Sequence, residues 1–157
     1  MARSTQPLSS KYELLHKIKF TCLIRGHHIY KDCWSPVIGE ELNCKADPRK
    51  EAQTYDKHAL GAYKKVEGAD VLVGHVPIEL SSLLSFFLAA GDKKNLLKAE
   101  VVGKRKREIG LVVPVKYKAL TSDVKCATIL SEKLNEKTRA IELYVHKTIY
   151  KKVPCYL

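Results

Sequence analysis

The chain has 157 residues, 45% of them hydrophobic and 29% charged, enough for one folded domain with its own core, which excludes wholesale disorder. Twenty-eight Lys and Arg stand against seventeen Asp and Glu. The resulting net charge of +11 favours polyanionic partners, nucleic acid first and an acidic membrane surface second.

The N-terminal lead, residues 1–11, is polar and is expected to be frayed and to carry no signal peptide. No apolar run approaches the roughly 18 residues that a membrane span needs, so a soluble protein without a membrane partner is expected. Order begins at Tyr12. Ile18 to Tyr30, IKFTCLIRGHHIY, alternates β-branched and aromatic residues and predicts a strand that reaches Gly26 before bending. In the following KDCWSPVIGEE, Pro36 and Gly39 break the pattern, and Trp34 is expected to cover the core from outside. Glu41 to Ala46 resumes as a strand, Asp47 to Thr54 is a polar loop, and Lys57 to Val66 is the next strand. VEGAD is a tight hairpin connection into Val71, Leu72 and Val73.

Asp70 to Gly91, DVLVGHVPIELSSLLSFFLAAG, is the stretch around which the chain is organised. A buried strand turns at Gly74 and His75 into an amphipathic helix. Pro77 suits its first position, Glu79 suits the positive end of its dipole, and Gly91 can close it. Leu80, Leu83, Leu84, Phe87 and Leu88 form one apolar face, with Ser81, Ser82 and Ser85 beside or opposite it.

Leu96 to Val102 and Leu111 to Tyr117 are two further strands joined by a basic turn, GKRKREIG. Ser122 can cap a helix running through Ile129, Leu130 and Leu134. Ala140 to Tyr150 fits either a strand or a helical face, and helix followed by extended chain is the preferred reading. The elements give a mainly β, α+β fold: a small barrel or rolled sheet over 12–119 with one principal helix, and a C-terminal extension over 120–157. Short connections rule out a βαβ arrangement.

The cysteines, Cys22, Cys33, Cys44, Cys126 and Cys155, are odd in number and contain no CxxC pair, which predicts reduced thiols in an intracellular compartment. His27 and His28 near Asp32 and Cys33 supply no tetrahedral set of known spacing, so no metal and no cofactor is expected. A P-loop, GxSxG and HExxH are all missing from the sequence, and no Cys-His spacing suggests a nucleophile. The chain is therefore expected not to be an enzyme, and any catalysis would come from a partner protein.

Three pieces occur in a fixed order: IRGHHIY at 24–30; EELNCKADP followed by TYDKHAL at 54–60; and VGHVPIEL at 73–80. A proline-bearing strand, LVVPVKY at 111–117, follows. Over Ile18 to Lys118 this order resembles the HIRAN domain family, with TYDKHAL and VGHVP as its specific parts. The resemblance implies a modified OB-like barrel, close to an SH3-like one, that binds single-stranded DNA and captures a free 3′ end. It implies that Tyr55 stacks on a terminal base while Asp56 accepts the sugar 3′-hydroxyl and rejects a 3′-phosphate by charge. It also implies that His75 lies near the strand's backbone.

The residues themselves leave alternatives open. Asp56 reads equally as a turn-capping carboxylate, Tyr55 as core, and His75 as a structural histidine at a helix entrance. The chain also departs from the family's pattern. His28 stands where an arginine can occur, Ile29 where a base-stacking tyrosine can occur, and Ile78 where many relatives carry a basic residue. Tyr30 keeps an aromatic. The loop before Tyr55 is longer than usual and carries Arg49 and Lys50 where paired asparagines occur in the best-known member. These departures bear on 3′-end selectivity more than on binding.

Between Asp92 and Arg107, seven Lys and Arg against two acids offer phosphate neutralisation, centred on Lys104, Arg105, Lys106 and Arg107. KRKR also reads as a nuclear-import patch, giving an expected nuclear location, and as a solvated turn with neither role. Two functions follow. One is a module for single-stranded DNA or other nucleic acid, and the other is a protein-interaction scaffold that kept the barrel and lost the pocket.

Overall fold

The computed structural model describes residues 12–30, 32, 34–90, 94–108, 110–141, 144–145 and 149–154. Its strands are β1 (Tyr12–Ile24), β2 (Glu41–Ala46), β3 (Leu60–Val66), β4 (Ala69–His75), β5 (Leu96–Val101), β6 (Lys106–Glu108), β7 (Gly110–Thr121), β8 (Tyr144–Val145) and β9 (Ile149–Pro154). The helices are α1 (His27–Tyr30), α2 (Lys50–Tyr55), α3 (Ile78–Ala90) and α4 (Val124–Ile141).

The strands pair antiparallel in the order β4-β3-β2-β5-β7-β1-β8, with β6 added to β7 and β9 to β1. β1 is long enough to serve two sets of partners. One edge pairs with β7 over His16–Ile24, and the other takes β9 at Tyr12–Lys17 and β8 at Phe20–Thr21. Just past β1, Arg25 forms an isolated bridge with His75 at the end of β4, through hydrogen bonds of 2.9 and 3.0 Å. One bridge is not a ladder. The sheet therefore rolls towards a barrel without closing, and the architecture is the expected α+β one.

Alternation on the strands fills the interior. Ile18 and Phe20 of β1, Val113, Val115, Tyr117 and Ala119 of β7, and Leu97 and Ala99 of β5 are buried. Tyr117 stacks on Phe20 at 5.2 Å between ring centroids, and its hydroxyl donates to the Leu23 carbonyl at 2.6 Å, so its one polar atom is satisfied inside the core. Helix α3 lays Leu80, Leu84 and Phe87 on the sheet, with Leu83 and Leu88 partly buried as the periodicity predicts. Ala127, Leu130 and Leu134 of α4 belong to the same core, so the C-terminal extension packs on the barrel.

Several expectations are corrected. The first strand ends at Ile24, and 27–30 is a helical turn, because Gly26 at φ +84° redirects the chain. Residues 50–55 are helical rather than loop, and β3 starts only at Leu60. Trp34 lies inside the core at 2% exposure, its indole N–H donating to Glu40. Pro77 precedes the first helical residue, its carbonyl accepting from the Ser81 N–H. Ser81 is buried, because its hydroxyl donates to the Ile78 carbonyl and loses no hydrogen bond there. Asp123 rather than Ser122 holds the start of α4, its carboxylate accepting from the Lys125 N–H at 2.8 Å. The basic turn includes β6. Gly91, Lys93, Cys33 and Cys155 lie outside the described residues. Cys44 and Cys126 are free thiols, and burial pushes that of Cys44 up to about 12.

Candidate functional site

The junction between β1 and β4 makes the site. A Cβ on Gly74 would run into the Ile24 side chain and come within 3.0 Å of the Arg25 carbonyl oxygen, so only glycine lets β4 lie this close to the end of β1. The next residue, His75, closes the bridge. Beyond it the chain turns into α3, α1 leaves from Gly26, and α2 stands across the opening. Between them lies a cavity of about 550 Å³ whose lining includes Arg25, Tyr30, Arg49, Tyr55, Asp56 and His75.

The floor is organised by Asp47, whose side chain is fully buried. Its carboxylate accepts from Arg49 through Nε at 3.1 Å and Nη2 at 3.0 Å, and from the Arg49 backbone N–H at 3.1 Å. The His75 Nε2 lies 2.7 Å from Oδ2. Arg49 continues the network, donating from Nη2 to the Tyr30 hydroxyl at 3.3 Å. The Tyr30 and His75 rings meet at a tilt, 6.3 Å apart. Burial alone would push the Asp47 carboxyl up, but the hydrogen bonds from Arg49 and His75 outweigh it and bring it down to about 2. The same hydrogen bond, with Asp47 as acceptor, is the main cause that raises the Arg49 guanidinium above its ordinary value.

Tyr55, the last residue of α2, is 88% exposed and is no part of the core. Asp56 caps α2 and accepts the His58 N–H through Oδ1 at 2.9 Å, so the turn-capping role exists. Among the described residues none donates to its Oδ2. His75 is held by Asp47 and by its backbone bridge. Tyr30 lines the cavity from the end of α1. His28 lies in the backbone of α1, and its side chain is outside the described set.

Lys104, Arg105, Lys106 and Arg107 are exposed but do not line the cavity. The Arg105 guanidinium approaches its wall, lying 3.2 Å from Nε2 of His27, next to the cavity-lining turn of α1. Ile29 and Ile78 form an apolar lip at 67% and 58% exposure.

Sequence reasoning missed Asp47 and Arg25, and met Arg49 only as a departure. The available signal was the Asp-Pro-Arg turn, where an Asp side chain commonly accepts from the backbone two residues on. Among the described residues there is no cluster of three His, Cys, Asp or Glu able to hold a metal, and no helix is long and apolar enough to cross a membrane.

No protein-family model and no curated protein matches the chain. Among solved structures it is similar to the crystal structure of the HIRAN domain of human HLTF, with a TM-score of 0.55 and 17% identity, over 77% of this chain and 91% of that one. The likeness is one of fold: the chain has a HIRAN-like fold.

Proposed function

We propose that the chain binds single-stranded nucleic acid, DNA in the first instance, with the strand's free 3′ end seated in the cavity below β4. The observation that carries this reading is an exposed Tyr55 ring beside Asp56 at the rim of a cavity that also holds Tyr30, Arg25 and Arg49. An exposed Tyr55 ring and a half-buried Tyr30 ring at a cleft lined by Arg25 and Arg49 as well as Glu51 and Asp56 suit stacking by bases of any sequence. The Asp56 Oδ2 can accept a sugar hydroxyl, whereas a terminal phosphate there would meet like charge. Ile29 and Ile78 offer apolar walls to a base or ribose, and the exposed cations of the β6 ribbon suit phosphates farther along the strand. The reading is one of binding without turnover. Incubating a labelled strand with magnesium or manganese should leave it intact, and metal-dependent cleavage would refute that part.

The decisive experiment is fluorescence anisotropy with a short labelled strand ending in a 3′-hydroxyl, beside the same strand ending in a 3′-phosphate and a blunt duplex, across a salt series. Preference for the free hydroxyl that is lost in Asp56→Asn is the expected result. Equal and steeply salt-dependent binding to all three would reduce the interaction to the basic surface.

The apolar lip of Ile29 and Ile78 favours a second reading, a protein-interaction module. That reading predicts partner binding that survives both Tyr55→Ala and Asp56→Ala.

A further inference from the structure

Arg49 has five N–H donors in a planar fork. Nε–H and one hydrogen of Nη2 are taken by the buried Asp47, and the other hydrogen of Nη2 by the Tyr30 hydroxyl. That leaves the two hydrogens of Nη1, to which none of the described residues offers an acceptor. The side chain is 43% exposed and forms part of the cavity lining, so a donor pair fixed from behind is presented to whatever occupies the cavity. Such fixation matters energetically. A free surface arginine loses side-chain entropy when it grips a ligand, and this one has already been ordered by folding. Of the neighbouring carboxylates, Asp47 is turned towards Arg49 and His75 and one Asp56 oxygen is held in its own turn, while Glu51 and the second Asp56 oxygen line the same cavity and set a like-charge limit on where a phosphate can lie.

Resting on the binding function proposed above, we infer that Arg49 is a specificity-determining residue of this pocket: one Nη1 hydrogen donates to a non-bridging oxygen of one defined internucleotide phosphate, counted from the seated end. Asp47 is the positioning residue behind it. The ligand class is thereby narrowed to a phosphodiester-linked strand, and a lone nucleoside would forfeit this contact. The cations of the β6 ribbon serve the strand differently. Exposed and outside the cavity, they act as general neutralising charge, whereas Arg49 acts at one position.

The test is a double-mutant cycle between protein and ligand. A labelled decathymidylate with a 3′-hydroxyl is made with one neutral methylphosphonate in place of each of its last three linkages in turn. Each strand is titrated with the wild-type chain and with Arg49→Gln. At one linkage the neutral replacement should weaken wild-type binding about tenfold, the loss expected for a hydrogen bond to a charged group, and leave the Arg49→Gln affinity unchanged. At the other two the effects should be additive.

Arg49→Lys, which keeps the charge but not the fork, guards against Arg49→Gln failing to fold. It should keep the overall salt dependence and lose most of the coupling. Asp47→Asn should also lose coupling although Arg49 is present, a result that simple loss of stability would not give once both variants are shown to be folded.

Additive effects at all three linkages, in binding that still depends on Tyr55, overturn the Arg49 assignment and leave the pocket reading standing. Equal coupling at all three means long-range attraction and overturns it as well. Failure of the wild-type chain to bind the unmodified strand overturns both.

Discussion

Tyr55 carries a sharp separation between stability and binding. Because its ring is 88% exposed, Tyr55→Ala should change unfolding free energy by no more than about 0.5 kcal/mol, while removing a stacking platform worth about 1–3 kcal/mol per base. Parallel urea titrations and anisotropy measure the two quantities, and a large loss of stability would mean that the ring packs on the domain. Asp47 behaves in the opposite way. Its carboxyl is brought from its ordinary 3.8 to about 2, so its charged form is favoured by folding. The resulting stabilisation is fully present above about pH 4 and disappears as pH falls through about 2. The Asp47 partners Arg49 and His75 are part-exposed, which screens the network, and the contribution is on the order of 1–2 kcal/mol. The stability difference between the wild-type chain and Asp47→Asn should therefore shrink as pH is lowered from 4 to 2, and a difference independent of pH would contradict the network. These two residues were unequally legible. Tyr55 and Asp56 stand in a specific motif, whereas Asp47 stands in a loop whose composition is that of any solvated turn. Its burial is created by α2 and by His75, 28 positions away, and no local pattern encodes that.

At the scale of elements, β6 lay in what read as a basic turn, and β8 and the start of β9 in a stretch that fitted strand or helix. The core of β1, β2 to β5, β7 and α3 were readable because each puts apolar residues at a fixed period against the core. Helices α1 and α2 were not. α2 has no buried residue, and α1 is a single turn, so neither imposes periodicity on the sequence. What places them is the β1–β4 junction, which makes Gly74 the element-level test. A methyl group there meets the Ile24 side chain and the Arg25 backbone, and a backbone atom cannot swing aside. Gly74→Ala should cost about 1–3 kcal/mol through overpacking and break the Arg25–His75 bridge. In hydrogen exchange the amides of Arg25 and His75 should lose protection before those of β7. Unchanged protection at those two amides would show that the bridge is not what holds the cavity open.

At the scale of the whole molecule, the question is where the folding unit ends. The motifs that resemble a known family stop near Lys118, and the spacing of Leu130 and Leu134 marks a buried face without naming what buries it. In the structure that face lies against the barrel: Leu130 and Leu134 are as buried as Phe20, and β1 carries β8 and β9 along its second edge. Without α4 the core would lose Ala127 and both leucines, and without the last two strands β1 would become a bare edge prone to pairing with other chains. Truncating a single buried leucine to alanine costs about 2–5 kcal/mol, and a domain of ordinary stability has about 5–15 kcal/mol in all. Two leucines and two strands together are therefore enough to abolish folding. A chain ended at Thr121 should be aggregated or unfolded by circular dichroism, and Leu134→Ala in the full chain should lower stability by about 2–5 kcal/mol in one cooperative transition. A Thr121-ended chain that stayed monomeric, melted near the full-length temperature and bound the labelled strand would establish instead that the barrel folds alone and that α4, β8 and β9 are appended to it.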